Sequence, residues 1–253
     1  MKNLFVVVAI AVCPWIATAL HAESAADAGK QAGYVTAGFE TNTNWYQTDP
    51  KTSATVPDGR FGSNNYLKLD YYRSGFSAGM QMETYAPALV GYSADLKGAA
   101  LTNFYLNWKD EDFSLTAGTF YDQFGSGLLF RSWEDRAIGL NNALTGARVT
   151  YSYKDILGIK ALWGMPRFGM KYSSTQVKGA DLSFVLSNLI GMKNTYLALE
   201  ASVLDRYEAL DADRQADGCS PNTTGWSARL NAESHGFFLK AEYVDAGTKH
   251  YYN

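Results

Sequence analysis

Apolar and polar residues alternate along most of this chain after Gln31. In residues 65–73, Leu67, Leu69 and Tyr71 fall on one parity, Lys68 and Asp70 on the other. In 75–85, Phe76, Ala78, Met80 and Met82 oppose Ser77, Gln81 and Glu83. The same holds for Phe104, Leu106 and Trp108 against Asn103, Asn107 and Lys109, and for Ala147, Val149, Tyr151 and Tyr153 against Arg148, Thr150, Ser152 and Lys154. Leu197, Leu199, Ala201 and Val203 oppose Tyr196, Glu200 and Ser202, and Trp226, Ala228, Leu230 and Ala232 oppose Ser227, Arg229, Asn231 and Glu233. Phe237, Leu239, Ala241 and Tyr243 oppose Lys240 and Glu242. Successive side chains of a strand point to opposite faces, so period-two alternation predicts strands with one apolar and one polar face. The pattern places eleven of them, over 31–41, 65–73, 75–85, 101–109, 112–120, 145–154, 156–164, 180–187, 194–203, 225–233 and 236–245.

Connections between these strands alternate in length. The long ones are 42–64, 86–100, 121–144, 165–179 and 204–224. The short ones fall at Arg73-Ser74-Gly75, Asp110-Glu111, Asp155, around Gly191 and at Ser234-His235. A soluble antiparallel sheet with one wet face also alternates polar and apolar residues, so parity alone leaves a secreted β-sandwich or solenoid open. Strict alternation of long loops and short turns is the habit of membrane barrels, whose turns face the periplasm and whose loops face outward. Strands of about 9–11 residues match a tilted crossing. A charge on the lipid face costs about 2–4 kcal/mol at mid-depth, which accounts for the segregation. The expected fold is all-β, an antiparallel transmembrane β-barrel with eleven or twelve strands visible. Such barrels have an even strand number, and the eleventh strand leads outward into 247–253, so the barrel is expected to be incomplete at its C-terminus. A further strand around Arg167–Tyr172 is the alternative account of the odd count.

The first residues suit export. Lys2 gives a positive start, Leu4 to Val12 is an apolar run too short to span a bilayer as a helix, and Ala17-Thr18-Ala19 or Leu20-His21-Ala22 offers small residues for cleavage. Val12 before Cys13 argues against a lipoprotein signal. The expected organisation is a signal peptide over 1–22 and one domain over 23–253, located in the outer membrane of a Gram-negative cell. No later stretch nears the ~20 apolar residues of a spanning helix. Composition narrows the rest. A net charge of -3 gives no basic field for nucleic acid. The mean hydropathy of -0.21 fits a chain in which only every second strand residue meets lipid. The 17 Tyr, 6 Trp and 23 Gly fit aromatic girdles and tight turns, though a soluble all-β protein carries them too. Cys219, alone in the mature chain, leaves no internal disulfide.

One connection is unlike the others. From Gly118 to Arg148 it carries Gly125 and Gly127, which permit a sharp bend and close backbone approach, and then Arg131, Glu134, Asp135 and Arg136 within six residues. Folded inward, these four charges would pair with polar-face charges such as Glu83, Lys109 or Arg148. Opposed charges across a constriction set which solutes pass. A salt-bridged brace, or a loop exposed to solvent, uses the same residues.

Tyr121-Asp122-Gln123-Phe124-Gly125-Ser126-Gly127, then Leu128 and Arg131, Asp135-Arg136, and Asn142-Ala143-Leu144-Thr145-Gly146-Ala147-Arg148 resemble a signature of outer-membrane barrels from Bacteroidota, a domain-of-unknown-function family. The match runs over 118–149. The resemblance implies location and fold, and no catalytic residue or activity.

Catalytic signals are weak. His235 and His250, the histidines beyond the signal, sit in a turn and in the terminal segment without an acid and a nucleophile at suggestive spacing. Ser126 lacks the Gly-x-Ser-x-Gly frame of a nucleophile elbow. There is no His/Cys set for a metal and no Gly-rich phosphate motif, so no enzyme activity, metal or cofactor is expected. Asn222-Thr223-Thr224 matches a glycosylation sequon only by chance in this setting. Two functions of different class remain. One is a porin-like channel for small solutes, narrowed by 121–144. The other is a non-conducting structural barrel, a partner in a surface-assembly or secretion complex. The expected partners are outer-membrane lipid and other outer-membrane or surface proteins.

Overall fold

The computed structural model describes residues 32–51, 56, 59–212 and 219–247. The expected signal-peptide segment 1–22, with Cys13, and the tail 248–253, with His250, lie outside the described residues. The chain forms two compact units, Met1–Phe104 and Tyr105–Asn253. The described residues of both are mainly antiparallel β-sheet.

In the first unit β1 (Tyr34–Trp45), β2 (Phe61–Arg73) and β3 (Phe76–Tyr85) run as a meander, followed by β4 (Gly98–Lys109), along which the chain passes from one unit to the other. Phe39 lies opposite Leu67, which lies opposite Met82, and Ala37 opposite Leu69, which lies opposite Met80.

The second unit continues with β5 (Phe113–Phe120), the short pairs β6 (Gln123–Phe124) with β7 (Phe130–Arg131) and β8 (Glu134–Asp135) with β9 (Leu140–Asn141), then β10 (Leu144–Tyr153), β11 (Leu157–Phe168), β12 (Lys171–Tyr172), β13 (Gln176–Val185), α1 (Leu186–Leu189), β14 (Thr195–Tyr207), β15 (Asn222–Ser234) and β16 (Phe237–Asp245). The long strands lie in the order β4-β5-β10-β11-β13-β14-β15-β16, each antiparallel to the next.

All eleven expected strands are present, several longer than the alternation alone defines. β11 runs to Phe168 rather than 164, and β14 to Tyr207 rather than 203. The extra residues lie beyond the alternating stretch, where the ladders continue past its edge. The segment Arg167–Tyr172 is no additional long strand. β12 folds back on the end of β11, with Arg167 opposite Tyr172 and Phe168 opposite Lys171. The connection at Gly191 contains the single helical turn α1, and Gly191 has φ 70°. The short turns carry the left-handed conformations that two-residue hairpins demand: Lys154 and Asp155 at 48° and 53°, His235 and Gly236 at 49° and 84°. Among the described residues, the outer edges of β1 and β16 carry no ladder, so barrel closure is not part of what the strands display.

Burial on the two faces is the reverse of a water-soluble sheet. In the first unit Gln81 (4% exposed) and Glu83 (1%) are buried, while Met80 (50%) and Met82 (43%), which alternate with them, are open. In the second unit Ser202, Ser227 and Arg229 are buried, while Leu199, Val203 and Trp226 are open. The open face is continuous in register. Trp108 lies opposite Leu115, Leu115 opposite Val149, Val149 opposite Ala161, Ala161 opposite Ala180, Ala180 opposite Val203 and Val203 opposite Trp226. Arg167, Lys178, Asp205 and Asp245 share this parity but sit at the loop-side ends of β11, β13, β14 and β16.

Candidate functional site

The connection between β5 and β10 lies on the polar face of the second unit, and its sequence explains how. Tyr121 and Asp122 leave β5 and Gln123–Phe124 form β6. Gly125 then turns the backbone with φ 52° directly over Arg229; a Cβ here would run into that side chain. Gly127, at φ 92°, completes the turn back to β7. These are the two glycines expected to permit close approach.

Asp122 is the first anchor. Its side chain is 4% exposed and meets Lys160 Nζ at 2.6 Å and Arg148 at 3.3 Å. The same two cations cap the neighbouring backbone: Arg148 donates to the Tyr121 carbonyl at 3.2 Å and Lys160 to that of Gln123 at 3.3 Å. Arg148 also donates to Thr116 Oγ1 on β5. The second anchor is apolar. Phe124 is fully buried and packs on Phe130 with ring centroids 5.3 Å apart. Phe120, Leu144, Leu162 and Val177 complete the cluster. Gly179 supplies the floor beneath the ring, where a Cβ would come within 2.7 Å of Phe124. Burying a phenylalanine contributes about 1.5–3 kcal/mol, so this ring and the Asp122 pair are comparable holds. At the third anchor, Ser126 donates through its hydroxyl and its backbone N–H to Glu242 on β16.

Beneath the loop lies a second ionic node. Arg229 on β15 donates to Glu200 at 2.6 Å and Ser202 at 2.6 Å, and pairs with Asp181. Ser202 donates to Asp181 at 2.5 Å, and Asn231 to the other oxygen of Glu200 at 2.8 Å. Lys160 and Asp181 are opposite in register, so the two nodes adjoin. The upper node holds one carboxylate between two cations and the lower one cation between two carboxylates; together they cancel.

The residues singled out from sequence fare unevenly. Arg148 is in the upper node, with Asp122 as its partner. Glu134 and Arg136 pair with each other at 3.3 Å, and Glu134 also accepts from Asn141 at 3.1 Å. Asp135 accepts from the backbone of Ala137. Arg131 is exposed, its guanidinium 4.7 Å from the Trp133 ring centroid. Lys109 lies exposed at the turn end of β4 opposite Ser114. Roughly 20 Å of β5 separate that level from the residue where the loop begins, too far for a side-chain pair. Glu83 lies in the first unit, where it accepts from Gln81 at 2.9 Å, Tyr85 at 2.9 Å and Thr102 at 2.8 Å. Sequence reasoning did not single out Asp122, Lys160, Asp181, Glu200, Arg229 and Glu242 as the groups that hold the loop. Five of these were visible as polar-parity strand charges, and Asp122 as the one acid inside the Tyr121–Gly127 run.

A family model covers residues 1–253. The chain belongs to DUF6029, a family of unknown function. Among solved structures it is similar to a BenF-like porin from Pseudomonas fluorescens Pf-5, at 13% identity over 85% of this chain and 67% of that one, with a TM-score of 0.39. The comparison with curated proteins found no match.

Proposed function

We propose that this chain is an exported outer-membrane β-barrel of a Bacteroidota-type cell, its signal peptide over 1–22, and that it passes small solutes through a polar lumen narrowed by the loop between β5 and β10. The observation that carries the reading is the reversal of the two faces. A soluble monomer rarely exposes a contiguous apolar surface beyond a few hundred Å2. Here whole cross-strand rows are apolar and open, while Glu83, Ser227 and Arg229 are covered. Lipid is the solvent that suits such a face, and a water-filled interior suits the other. The loop supplies the narrowing because it is held against the polar face at three places.

A non-conducting structural barrel is favoured by a different observation: the two ionic nodes beneath the loop neutralise each other, so most of the charge there is spent on bracing the wall. Planar-bilayer recording of the full-length protein decides between the two. Single-channel steps are expected; silence at every voltage defeats the pore. Location is tested separately by Leu199→Arg. At the middle of a lipid-facing strand this change costs about 2–4 kcal/mol in a bilayer. It is measured by urea titration in vesicles, and an unchanged midpoint removes the lipid face.

A further inference from the structure

We propose that the loop-side end of the second unit holds a binding site for small amphipathic anions, in the first place monocarboxylates with an apolar body. A cavity of about 720 Å3 opens there between the loop and the strand ends. That lies within the ~300–1,000 Å3 range of small-molecule sites. Its apolar wall is Leu129, Phe130, Val177 and Leu204, and two arginines, Arg131 and Arg206, line the same space. No Asp or Glu is among its lining residues.

The two cations are not equivalent. Arg206 is shared with Glu208 at 3.4 Å. Arg131 stacks on Trp133 and is paired with no carboxylate among the described residues. A planar guanidinium braced on an aromatic ring keeps its outer N–H groups directed away from the ring, the geometry that receives a carboxylate in a two-pronged contact. Ser132 and Asn142, also on the wall, add neutral polar groups beside it. An apolar wall facing an unshared cation, with no acid among the lining residues, selects against cations and against fully hydrated small anions alike. This assigns Arg131 a ligand in place of the strand charge expected from the sequence. The inference deepens the pore reading by naming a class of solute, and as a transport route it rests on that reading; as a binding site it does not.

Calorimetry on the full chain in detergent tests it with three probes: hexanoate, hexylammonium and acetate. Hexanoate is expected to bind at least about tenfold more tightly than either of the others, because only it satisfies both wall and cation. Arg131→Gln is expected to weaken hexanoate about tenfold, and Arg206→Gln by less, since Glu208 already shares that guanidinium. Arg131→Glu should turn the preference toward hexylammonium. Arg131 is exposed, so these variants leave the buried anchors intact, and an unchanged thermal midpoint verifies that. Equal affinity for hexanoate and hexylammonium, or hexanoate affinity unmoved by Arg131→Gln, overturns the site. Selective hexanoate binding with silent bilayers leaves the site and removes the pore; conducting bilayers without that selectivity do the reverse.

Discussion

The two halves of the loop between β5 and β10 have opposite relations to the sheet. The first half, 121–127, has one acid, and its acid and its serine are spent on the strands below: Asp122 on Arg148 and Lys160, Ser126 on Glu242. The second half, 134–141, is denser in charge and spends it on itself: Glu134 on Arg136 and Asn141, Asp135 on the backbone of Ala137. Charge density therefore does not locate the contact. What locates it is a complementary charge fixed on a strand, at a depth where the alternative is burial without a partner.

The largest expected effect comes from removing the first anchor. Asp122→Ala leaves two cations facing each other across a mostly water-excluded space. Truncating one member of a buried pair costs about 3–5 kcal/mol. Arg148 and Lys160 each keep 26% of their side chains exposed, so the lower end, about 3 kcal/mol, applies. Urea titration in vesicles measures it. A loss under about 1 kcal/mol would mean that the docked half is no better held than the other, and the contrast between them would fall.

Next comes the apolar hold. Gly179→Ala adds a Cβ within 2.7 Å of the Phe124 ring and 2.9 Å of Leu204. Leu204 can rotate aside, but Phe124 is enclosed. Overpacking of this kind costs about 1–3 kcal/mol. The sharper readout is local: protease cleavage within 123–131 should accelerate while the strand ladders stay protected. If cleavage is unchanged, Phe124 is not what keeps the loop down.

Much of this was legible before the structure. Alternation at period two fixes strand positions because each misplacement moves a whole set of side chains to the wrong solvent. Hence all eleven strands appear, with errors confined to ends such as β11 and β14. Gly125 and Gly127 were legible for a similar reason: few residues other than glycine serve a left-handed turn pressed against a side chain. The small pairs β6–β7 and β8–β9 were not legible, since two-residue ladders leave no periodicity. The ionic partners were not legible either. Which acid meets Arg148 depends on how high the loop sits above β10 and β11, a distance no spacing in the sequence encodes. Parity told which strand charges shared a face with Arg148; it did not tell that Asp122, and not Glu134 or Asp135, would arrive there.

The smallest effect is expected where the sequence pointed most strongly. Glu134→Gln removes the charge that faces Arg136 but keeps an amide oxygen to accept from Asn141. Both side chains are partly open, at 22% and 31% exposure, so water replaces much of what the pair provides. Ion pairs of this kind contribute about 0–1 kcal/mol and weaken as salt rises. The expected change in the urea midpoint is accordingly under about 0.5 kcal/mol, and 0.5 M salt should erase it. Comparing Glu134→Gln with Asp122→Asn makes the point without truncation, since both replace a carboxylate by its amide. The Asp122 change should exceed the Glu134 change severalfold and survive salt, because its cations are aligned by strands that cannot follow it. Equal sensitivity of the two to salt would mean that Asp122 is as wet as Glu134, and the loop would then rest on Phe124 alone.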